Sequence, residues 1–330
     1  MFNARSLVSS LASAAALALA SLAATPVHAQ EKITYLLPAP FVLPSFAPYV
    51  IARERGFYKE ENLEINFEVG KGGIDVAKQV GAGTVDIGHG PGDGSIVVRP
   101  NGVPIKIVAM LGGGSLGALI VNGNSTVKSP ADLKGKTVTV MSYQDGTFYT
   151  LLGMLGAVGL TRNDVDIQAV GPTNVWQLLL AGKSEAMLGV PDWIGAMSDN
   201  GGSPRVVPTD QYFVGLPQTI IASDRAIREK PELIRRFVRA TLRGLNEIVR
   251  DPDAAAKVYL KAMPQYAGKE ASITRVINLY AQRVFKSDKP IGTIDVARLE
   301  KTQDFYAQHA IIQSKSPMTD LYATGFLPTR

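Results

Sequence analysis

The residues with the clearest chemical potential stand in a turn between a predicted strand and a predicted helix. Ser142, Tyr143, Gln144 and Thr147 bring hydroxyl and amide groups to this turn, beside Asp145. The N–H groups at the start of a helix, with the hydroxyls of Ser142 and Thr147, can hold a carboxylate, a sulfonate or a similar anion. Residues that only cap the helix explain the same pattern. The turn is therefore a candidate ligand contact with both interpretations open.

Aromatic and ionisable residues mark two further candidate segments. Phe46 and Tyr49 lie on one face of a predicted helix that begins near Ser45. His89 and Asp93 lie in the glycine-rich run GHGPGDG after a short strand, where glycines let the backbone approach a ligand closely. Both segments are candidate walls of a ligand site.

A third candidate segment is the pair Asp192-Trp193, which follows another predicted strand. Trp193 can stack on a planar ligand while Asp192 accepts a hydrogen bond from it. The alternative is that Asp192 caps a helix and Trp193 packs in the core. Asn174, at the start of the preceding predicted helix, is a capping residue that can also face the same cleft.

The run Gly113–Gly117 matches the G-x-S-x-G pattern of a serine nucleophile at Ser115. That motif requires a helix after the serine, whereas Ala118–Val121 has the character of a strand. Only His309 stands in the expected chain order for a catalytic base. We therefore expect Ser115 to be a hydroxyl in the cleft, and a periplasmic serine hydrolase using Ser115 is kept as an alternative function.

The elements that position these segments alternate between strand and helix, which predicts α/β lobes with parallel sheets. The carboxyl ends of parallel strands meet at one edge, so the candidate segments should converge. We expect two lobes joined by two crossover strands, a type II periplasmic-binding-protein fold. Residues 30–121 begin lobe 1, residues 122–214 form lobe 2, and residues 215–330 return to lobe 1. The crossings are expected near Gly117–Asn122 and Gln211–Ala222.

The first 29 residues predict a cleaved signal peptide. Arg5 precedes an apolar run from Leu7 to Ala24, and the expected cleavage lies between Ala29 and Gln30. The sequence has no cysteine, so a lipid-anchoring thiol and disulfides are excluded. These features predict an exported protein of a Gram-negative periplasm.

Composition excludes several other classes of protein. The net charge is +5, and no run of Lys and Arg suggests nucleic-acid binding. Beyond the leader the only histidines are His89 and His309, which lie far apart in sequence. We therefore expect no metal site and no cofactor.

Several longer segments together resemble a known class of protein. FAPYVIARERGFYKEENLEINF, GKGGIDVAKQVGAGTVDIG, NGVPIKIVA and AGKSEAMLGVPDW are similar to the periplasmic solute-binding proteins of nitrate/sulfonate/taurine ABC importers. This class shares its fold with thiamine-pyrimidine synthases. The resemblance implies a non-enzymatic receptor that delivers a solute to a membrane permease and its ATPase, and we expect a monomer. It implies ligand contacts at Phe46 and Tyr49, at 89–93, at 142–147, at Asn174, and at Asp192 and Trp193.

The resemblance leaves the solute open. A sulfonate, an aromatic carboxylate or a thiamine-pyrimidine precursor fits the class, and the aromatic residues favour a planar organic solute. The synthase relatives use a cysteine-rich motif, which this chain lacks, so synthase activity is set aside. A receptor that signals to a membrane sensor is a further alternative.

Overall fold

The computed structural model describes residues 30–328. The expected signal peptide and its cleavage point lie outside the described residues. Of the helices described, none is both long and apolar enough to cross a bilayer. The ten strands within this range are β1 Glu31–Leu37, β2 Leu63–Val69, β3 Ile87–Pro91, β4 Ile105–Met110, β5 Ala118–Asn122, β6 Thr137–Val140, β7 Asp166–Ala169, β8 Ala186–Gly189, β9 Pro204–Val206 and β10 Gln218–Ser223.

The strands form two mixed sheets of five, one in each lobe. In the first lobe the order is β2-β1-β3-β10-β4, with β1 parallel to β2 and β3, and β10 antiparallel to both neighbours. In the second lobe the order is β7-β6-β8-β5-β9, with β6 parallel to β7 and β8, and β5 antiparallel to β8 and β9. The predicted two-lobed α/β fold is confirmed. The predicted parallel sheets are wrong in part, because β10 and β5, which adjoin the crossings between the lobes, run antiparallel to their neighbours.

The chain crosses between the lobes twice, between β4 and β5 and between β9 and β10. The second crossing overlaps the segment that the sequence predicts. The first crossing comes earlier in the chain than predicted. Strand β5 belongs to the second sheet, whereas the predicted lobe boundary after residue 121 assigns most of β5 to lobe 1. The apolar run of β5 fits either sheet, and its partners β8 and β9 come much later in the chain. The two crossings touch where the Leu116 N–H donates to the Leu216 carbonyl at 3.2 Å.

Helices cover both sheets. The thirteen α-helices within the described range are α1 Ala47–Glu54, α2 Phe57–Glu60, α3 Gly73–Gly81, α4 Gly94–Val98, α5 Gly146–Gly156, α6 Gly171–Leu180, α7 Pro191–Asp199, α8 Asp224–Glu229, α9 Pro231–Arg250, α10 Pro252–Ala262, α11 Glu270–Tyr280, α12 Val296–Gln308 and α13 Met318–Leu321. A π-helical turn, Ala281–Phe285, continues α11.

The long helix α9 anchors the core of the first lobe. Its buried side chains recur every three to four residues, which turns one face to the sheet. Phe237 on this face stacks against Tyr35 of β1 at 4.6 Å between ring centroids. On the opposite side of the sheet, Gly88 lets α3 approach closely, since a Cβ there would lie 2.7 Å from a Val76 methyl. This packing fixes the end of β3 that carries His89.

Helix α11 connects the two lobes. Its side chains Ile273, Val276 and Tyr280 belong to the core of the first lobe, while the helix also packs against α7 of the second lobe. The contact is close because α7 offers Gly195, where a Cβ would lie 2.3 Å from Val276. The end of α11 is thereby held at the boundary between the lobes.

Candidate functional site

A cavity of about 60 Å³ lies between the two lobes near the ends of β1, β3, β6 and β8. Its walls come from the segments after these strands, with contributions from the return strand and from α11. The lining residues are Pro38, Ala39, Leu43, Ser45, Phe46, His89, Leu116, Met141, Asp145, Pro172, Val190, Asp192, Trp193, Gln218 and Tyr280. We call this space the inner cavity. Phe46, His89, Asp192 and Trp193 are the predicted contacts that line it.

A larger space of about 350 Å³ adjoins the inner cavity, and we call it the outer chamber. The two share Leu43, Pro172, Asp192 and Trp193. The outer chamber adds the rings of Trp176 and Tyr266 and the exposed ammonium of Lys269. Ligand sites for small molecules usually enclose about 300–1,000 Å³. The two spaces together reach this range, whereas the inner cavity alone does not.

His89 presents a neutral imidazole to the inner cavity. Its Nδ1 lies 2.9 Å from the Tyr49 hydroxyl, which in turn lies 2.7 Å from the Tyr35 hydroxyl. Phe46 packs edge-on against the imidazole at 5.3 Å between ring centroids. Burial lowers the pKa of His89 to about 3. Tyr49, predicted to face the solute, is itself fully buried and orients His89 from outside the cavity lining.

Asp192 joins the two lobes across the inner cavity. Its Oδ1 accepts the Ser45 N–H at 3.3 Å, and its Oδ2 accepts the Tyr280 hydroxyl. Burial raises the pKa of Asp192 to about 6, although these hydrogen bonds oppose the rise. Trp193, the next residue, is 6% exposed and lines both the inner cavity and the outer chamber. This pair therefore combines a carboxyl with a large aromatic surface.

Asp145 caps α5 and also lines the inner cavity. Its Oδ1 accepts the Thr147 N–H at 3.0 Å and the Thr147 hydroxyl at 2.7 Å. Burial raises the pKa of this carboxyl, while hydrogen bonds from Thr147 and from the N–H groups of Gly73 and Gly146 oppose the rise. The start of α5, which the sequence predicts as a candidate anion site, is thus already occupied by a carboxylate of the protein itself.

Gln218 completes the acceptor set of the inner cavity. The residue is 2% exposed, and its side-chain Oε1 accepts no hydrogen bond from the described residues. A buried acceptor without a partner costs about 1–3 kcal/mol, so such atoms call for a donor. Among residues 30–328, the lining of the inner cavity contains two carboxyls and neither Lys nor Arg. The arrangement favours N–H donors over anions.

The other predicted polar contacts lie outside the inner cavity and the outer chamber. The Ser142 hydroxyl accepts the Gln144 N–H at 3.0 Å, and the 44% exposed Tyr143 donates its hydroxyl to the Ile167 carbonyl. Gln144 is exposed, but its carbonyl accepts the Ile74 N–H from the first lobe at 2.9 Å. Asn174 is exposed on α6. The polar groups of this turn therefore bond within the second lobe or join the two lobes. Contact of Ser142, Tyr143, Gln144 and Asn174 with a solute stays a prediction.

Asp93 also lies outside the inner cavity, with its carboxylate accepting the Tyr306 hydroxyl at 2.6 Å. Burial raises the pKa of Asp93 to about 7, the Tyr306 hydroxyl and the residue's own N–H oppose the rise, and the charge of Asp145 adds to it. At Asp93 the folded protein therefore binds more protons than the unfolded chain between about pH 4 and 7. The free energy of unfolding should fall as the pH rises through this window.

We expect Asp93→Asn to raise the melting temperature at pH 8, where the wild-type carboxylate is ionised and buried. The amide carbonyl still accepts the Tyr306 hydroxyl, so only the charge is lost. Scanning calorimetry at pH 5 and pH 8 measures the effect, with the exposed Asp288→Asn as control. The pH dependence should be flatter in Asp93→Asn alone. A lower melting temperature for Asp93→Asn at pH 8 would show that the charge stabilises the fold.

Ser115 lines a third space, of about 540 Å³, beside the two crossing segments. Its hydroxyl donates to the Gly117 carbonyl at 2.9 Å, and β5 follows it in place of a helix. His309 instead stacks on Phe305, at 4.2 Å between ring centroids. The contacts of a serine nucleophile with its base are therefore not formed here, which argues against the hydrolase alternative.

We expect Ser115→Ala to change solute affinity by less than about threefold, because Ser115 lies outside the inner cavity and the outer chamber. Any trace ester hydrolysis by the purified protein should persist in this variant. Calorimetric titration and a chromogenic ester assay provide the two readouts. Loss of an esterase activity in Ser115→Ala would restore the hydrolase interpretation.

Gln218 and Tyr280 are the two polar lining residues that lie outside every candidate ligand segment predicted from the sequence. Both come from the return to the first lobe, more than 170 residues after Ser45. Neither has a local motif, and the resemblance weakens in this part of the chain. The one available signal is that Gln218 begins a strand at a crossing, where a buried amide is unusual.

The chain matches the family described as NMT1/THI5 like over residues 43–255. It is 25% identical to the riboflavin-binding protein RibY of Chloroflexus aurantiacus over 325 residues, covering 94% of this chain and 91% of that protein. It is 24% identical to the 4-amino-5-hydroxymethyl-2-methylpyrimidine phosphate synthase THI13 of Saccharomyces cerevisiae over 254 residues, covering 71% of this chain and 72% of that one.

Solved structures share the two-lobed fold. The alkanesulfonate-binding protein SsuA of Xanthomonas axonopodis pv. citri, bound to MOPS, superposes with a TM-score of 0.70 at 16% identity. The comparison covers 90% of this chain and 99% of that one. The fold is that of the periplasmic binding proteins, and the chain belongs to the NMT1/THI5-like family.

Proposed function

We propose that this protein is the substrate-binding component of an ABC importer and captures an uncharged, planar nitrogen heterocycle that carries N–H donors. The observation that carries the proposal is the acceptor set of the inner cavity. Asp192, Asp145 and the unpartnered Oε1 of Gln218 lie there with neutral His89, and neither Lys nor Arg joins them among the described lining residues. Such a surface accepts hydrogen bonds from N–H groups and repels anions.

The aromatic residues of the site support a planar solute. Phe46 and Trp193 line the inner cavity, and Trp176 and Tyr266 extend the aromatic surface into the outer chamber. Stacking on such side chains contributes about 0.5–1.5 kcal/mol beyond the burial of area. The outer chamber offers room for substituents of the ring, because it adjoins the inner cavity and shares Trp193 with it.

The relatives support the same class of solute. The name of RibY says that it binds riboflavin, and THI13 is named for the synthesis of an aminopyrimidine phosphate. Both names refer to planar nitrogen heterocycles. The sulfonate-binding proteins are less than 25% identical to this chain, so they support the fold and leave the solute open.

The remaining parts of the proposal follow from the leader and the fold. A cleaved signal peptide with its end near Ala29 would place the protein in the periplasm, where a monomer would deliver its solute to a permease and its ATPase. A role as a receptor for a membrane sensor uses the same site. Uptake of labelled solute by cells with and without the gene for this protein separates transport, which requires it, from sensing, which leaves uptake unchanged.

A binding panel tests the proposed solute class. The protein is unfolded, dialysed free of bound solute and refolded, and its melting temperature is measured with riboflavin, 4-amino-5-hydroxymethyl-2-methylpyrimidine, ethanesulfonate, benzoate and nitrate. A solute at a thousandfold its dissociation constant adds about 4 kcal/mol to the free energy of unfolding. We expect stabilisation by a heterocycle and none by the anions. Stabilisation by ethanesulfonate or benzoate alone would overturn the proposal.

A further inference from the structure

Two helix N-termini, one from each lobe, point at the same place beside the inner cavity. Helix α3 of the first lobe begins at Gly73, and helix α5 of the second lobe begins at Gly146. They are held together by the Ile74 N–H, which donates to the Gln144 carbonyl at 2.9 Å. The approach is so close that a Cβ on Gly72 would lie 2.7 Å from this carbonyl oxygen.

The Asp145 carboxylate lies between these two helix starts. It accepts the N–H and the hydroxyl of Thr147 from α5. The start of α3 lies beside it, because the Ile74 N–H donates to the carbonyl of the preceding residue, Gln144. The carboxylate therefore occupies the start of α5 at the point where α3 of the first lobe meets it. Helix starts carry about half a positive charge each and are common binding sites for anionic groups of ligands.

We propose that Asp145 is a specificity-determining residue, an internal anion that fills the position where the two helix starts would otherwise bind an anionic group of a solute. The residue lines the inner cavity, so its charge faces any solute bound there. It also lies near a second carboxyl, Asp93, whose titration it affects. A sulfonate or carboxylate entering the closed cleft meets negative charge where the fold otherwise supplies positive potential.

This inference rests on the proposed function, because it explains why the site takes an uncharged solute. It also predicts how the specificity can be changed by one residue. Removing the carboxylate frees the N–H and the hydroxyl of Thr147, which surround the position that Asp145 occupies at the lining of the inner cavity. The variant should then bind small anions that the wild type rejects.

Ethanesulfonate and acetate are the probes, titrated by calorimetry against the wild type, Asp145→Ala and Asp145→Asn. We expect the dissociation constant for ethanesulfonate to fall at least tenfold in Asp145→Ala. Asp145→Asn should gain less, because its amide oxygen still occupies the Thr147 donors while the charge is gone. Asp251→Ala is the matched control, since Asp251 caps the equally long helix α10 by accepting the Ala254 N–H at 2.9 Å, away from the cleft.

The results separate this inference from the proposed function. If neither variant at position 145 gains affinity for ethanesulfonate or acetate while both retain the wild-type far-ultraviolet circular dichroism, the inference is wrong. Binding of ethanesulfonate by the wild type as tightly as by Asp145→Ala overturns it equally. The affinity of the wild type for the heterocycles is measured on the same samples, so a failure of the proposed solute class is seen independently.

Discussion

Asp192→Ala should weaken solute binding at least 100-fold while leaving the unliganded protein folded. The carboxyl accepts one donor from the first lobe, the Ser45 N–H, and one from the end of α11, the Tyr280 hydroxyl. In the closed cleft both donors are buried, and each loses its partner in the variant at a cost of about 1–3 kcal/mol. The solute loses an acceptor as well. A loss of about 2.7 kcal/mol corresponds to 100-fold in affinity.

Calorimetric titration with the bound heterocycle measures this loss, and tryptophan emission provides a second readout. The chain has two tryptophans, Trp176 and Trp193, and both line the outer chamber. The control is Asp253→Ala on α10, which also bonds to α11, through Asn278, but lines neither the inner cavity nor the outer chamber. We expect this control variant to lose less than threefold in solute affinity. Equal losses for both variants would mean that the bridge to α11, and not the cavity, sets the affinity.

Gly146→Ala should reduce affinity by about 10- to 100-fold because it prevents full closure of the cleft. Gly146 begins α5 in the second lobe and faces Pro91 at the end of β3 in the first lobe. A Cβ on Gly146 would lie 2.4 Å from the Pro91 Cβ, a distance that no relaxed contact allows. The added methyl group therefore separates the lobes, and overpacking of this kind costs about 1–3 kcal/mol. Since alanine favours the helix, the stability of the open protein should not fall.

The matched control for this variant is Gly94→Ala. Gly94 also begins a helix, α4, and also faces the Pro91 ring, but both residues belong to the first lobe and the nearest ring carbon is 3.3 Å away. Small-angle X-ray scattering with saturating solute should give a larger radius of gyration for Gly146→Ala than for Gly94→Ala or the wild type. Identical radii and identical affinities for the three proteins would show that closure does not bring Gly146 against Pro91.

The convergence of the candidate segments could be predicted because it depends on local patterns. Short apolar strands followed by helices place the residues after β1, β3, β6 and β8 at one boundary. Phe46, His89, Asp192 and Trp193 follow directly from that rule, since each stands within a few residues of a strand end or of the turn that follows it. The fold class and these four of the fifteen lining residues could therefore be predicted from spacing.

Side-chain direction could not be predicted in the same way. Tyr49 shares a helix face with Phe46, but in the fold it points at His89 and Tyr35 in the core. The hydroxyls of Ser142 and Thr147 were equally able to bind a ligand or the local backbone, and the structure uses them locally. Choosing between these outcomes requires the positions of neighbours that are distant in sequence.

Asp145 shows most clearly why the solute class could not be deduced from residue types. The turn contains the groups of an anion site, and the aspartate within it looks like an ordinary helix cap. The structure shows more than a cap, because α3 of the other lobe meets the start of α5 beside this carboxylate and Asp145 lines the inner cavity. The same pairing between the lobes brings Gln218 and Tyr280 to the cavity without any local signal.

Isothermal titration of the refolded, solute-free protein with an uncharged heterocycle and with ethanesulfonate, under identical conditions, tests the central claim most directly. The acceptor-lined, acidic inner cavity predicts saturable binding of riboflavin or of 4-amino-5-hydroxymethyl-2-methylpyrimidine, with a stoichiometry of about one per chain. It predicts no heat of binding from ethanesulfonate. Saturable binding of ethanesulfonate with no binding of either heterocycle would contradict the account.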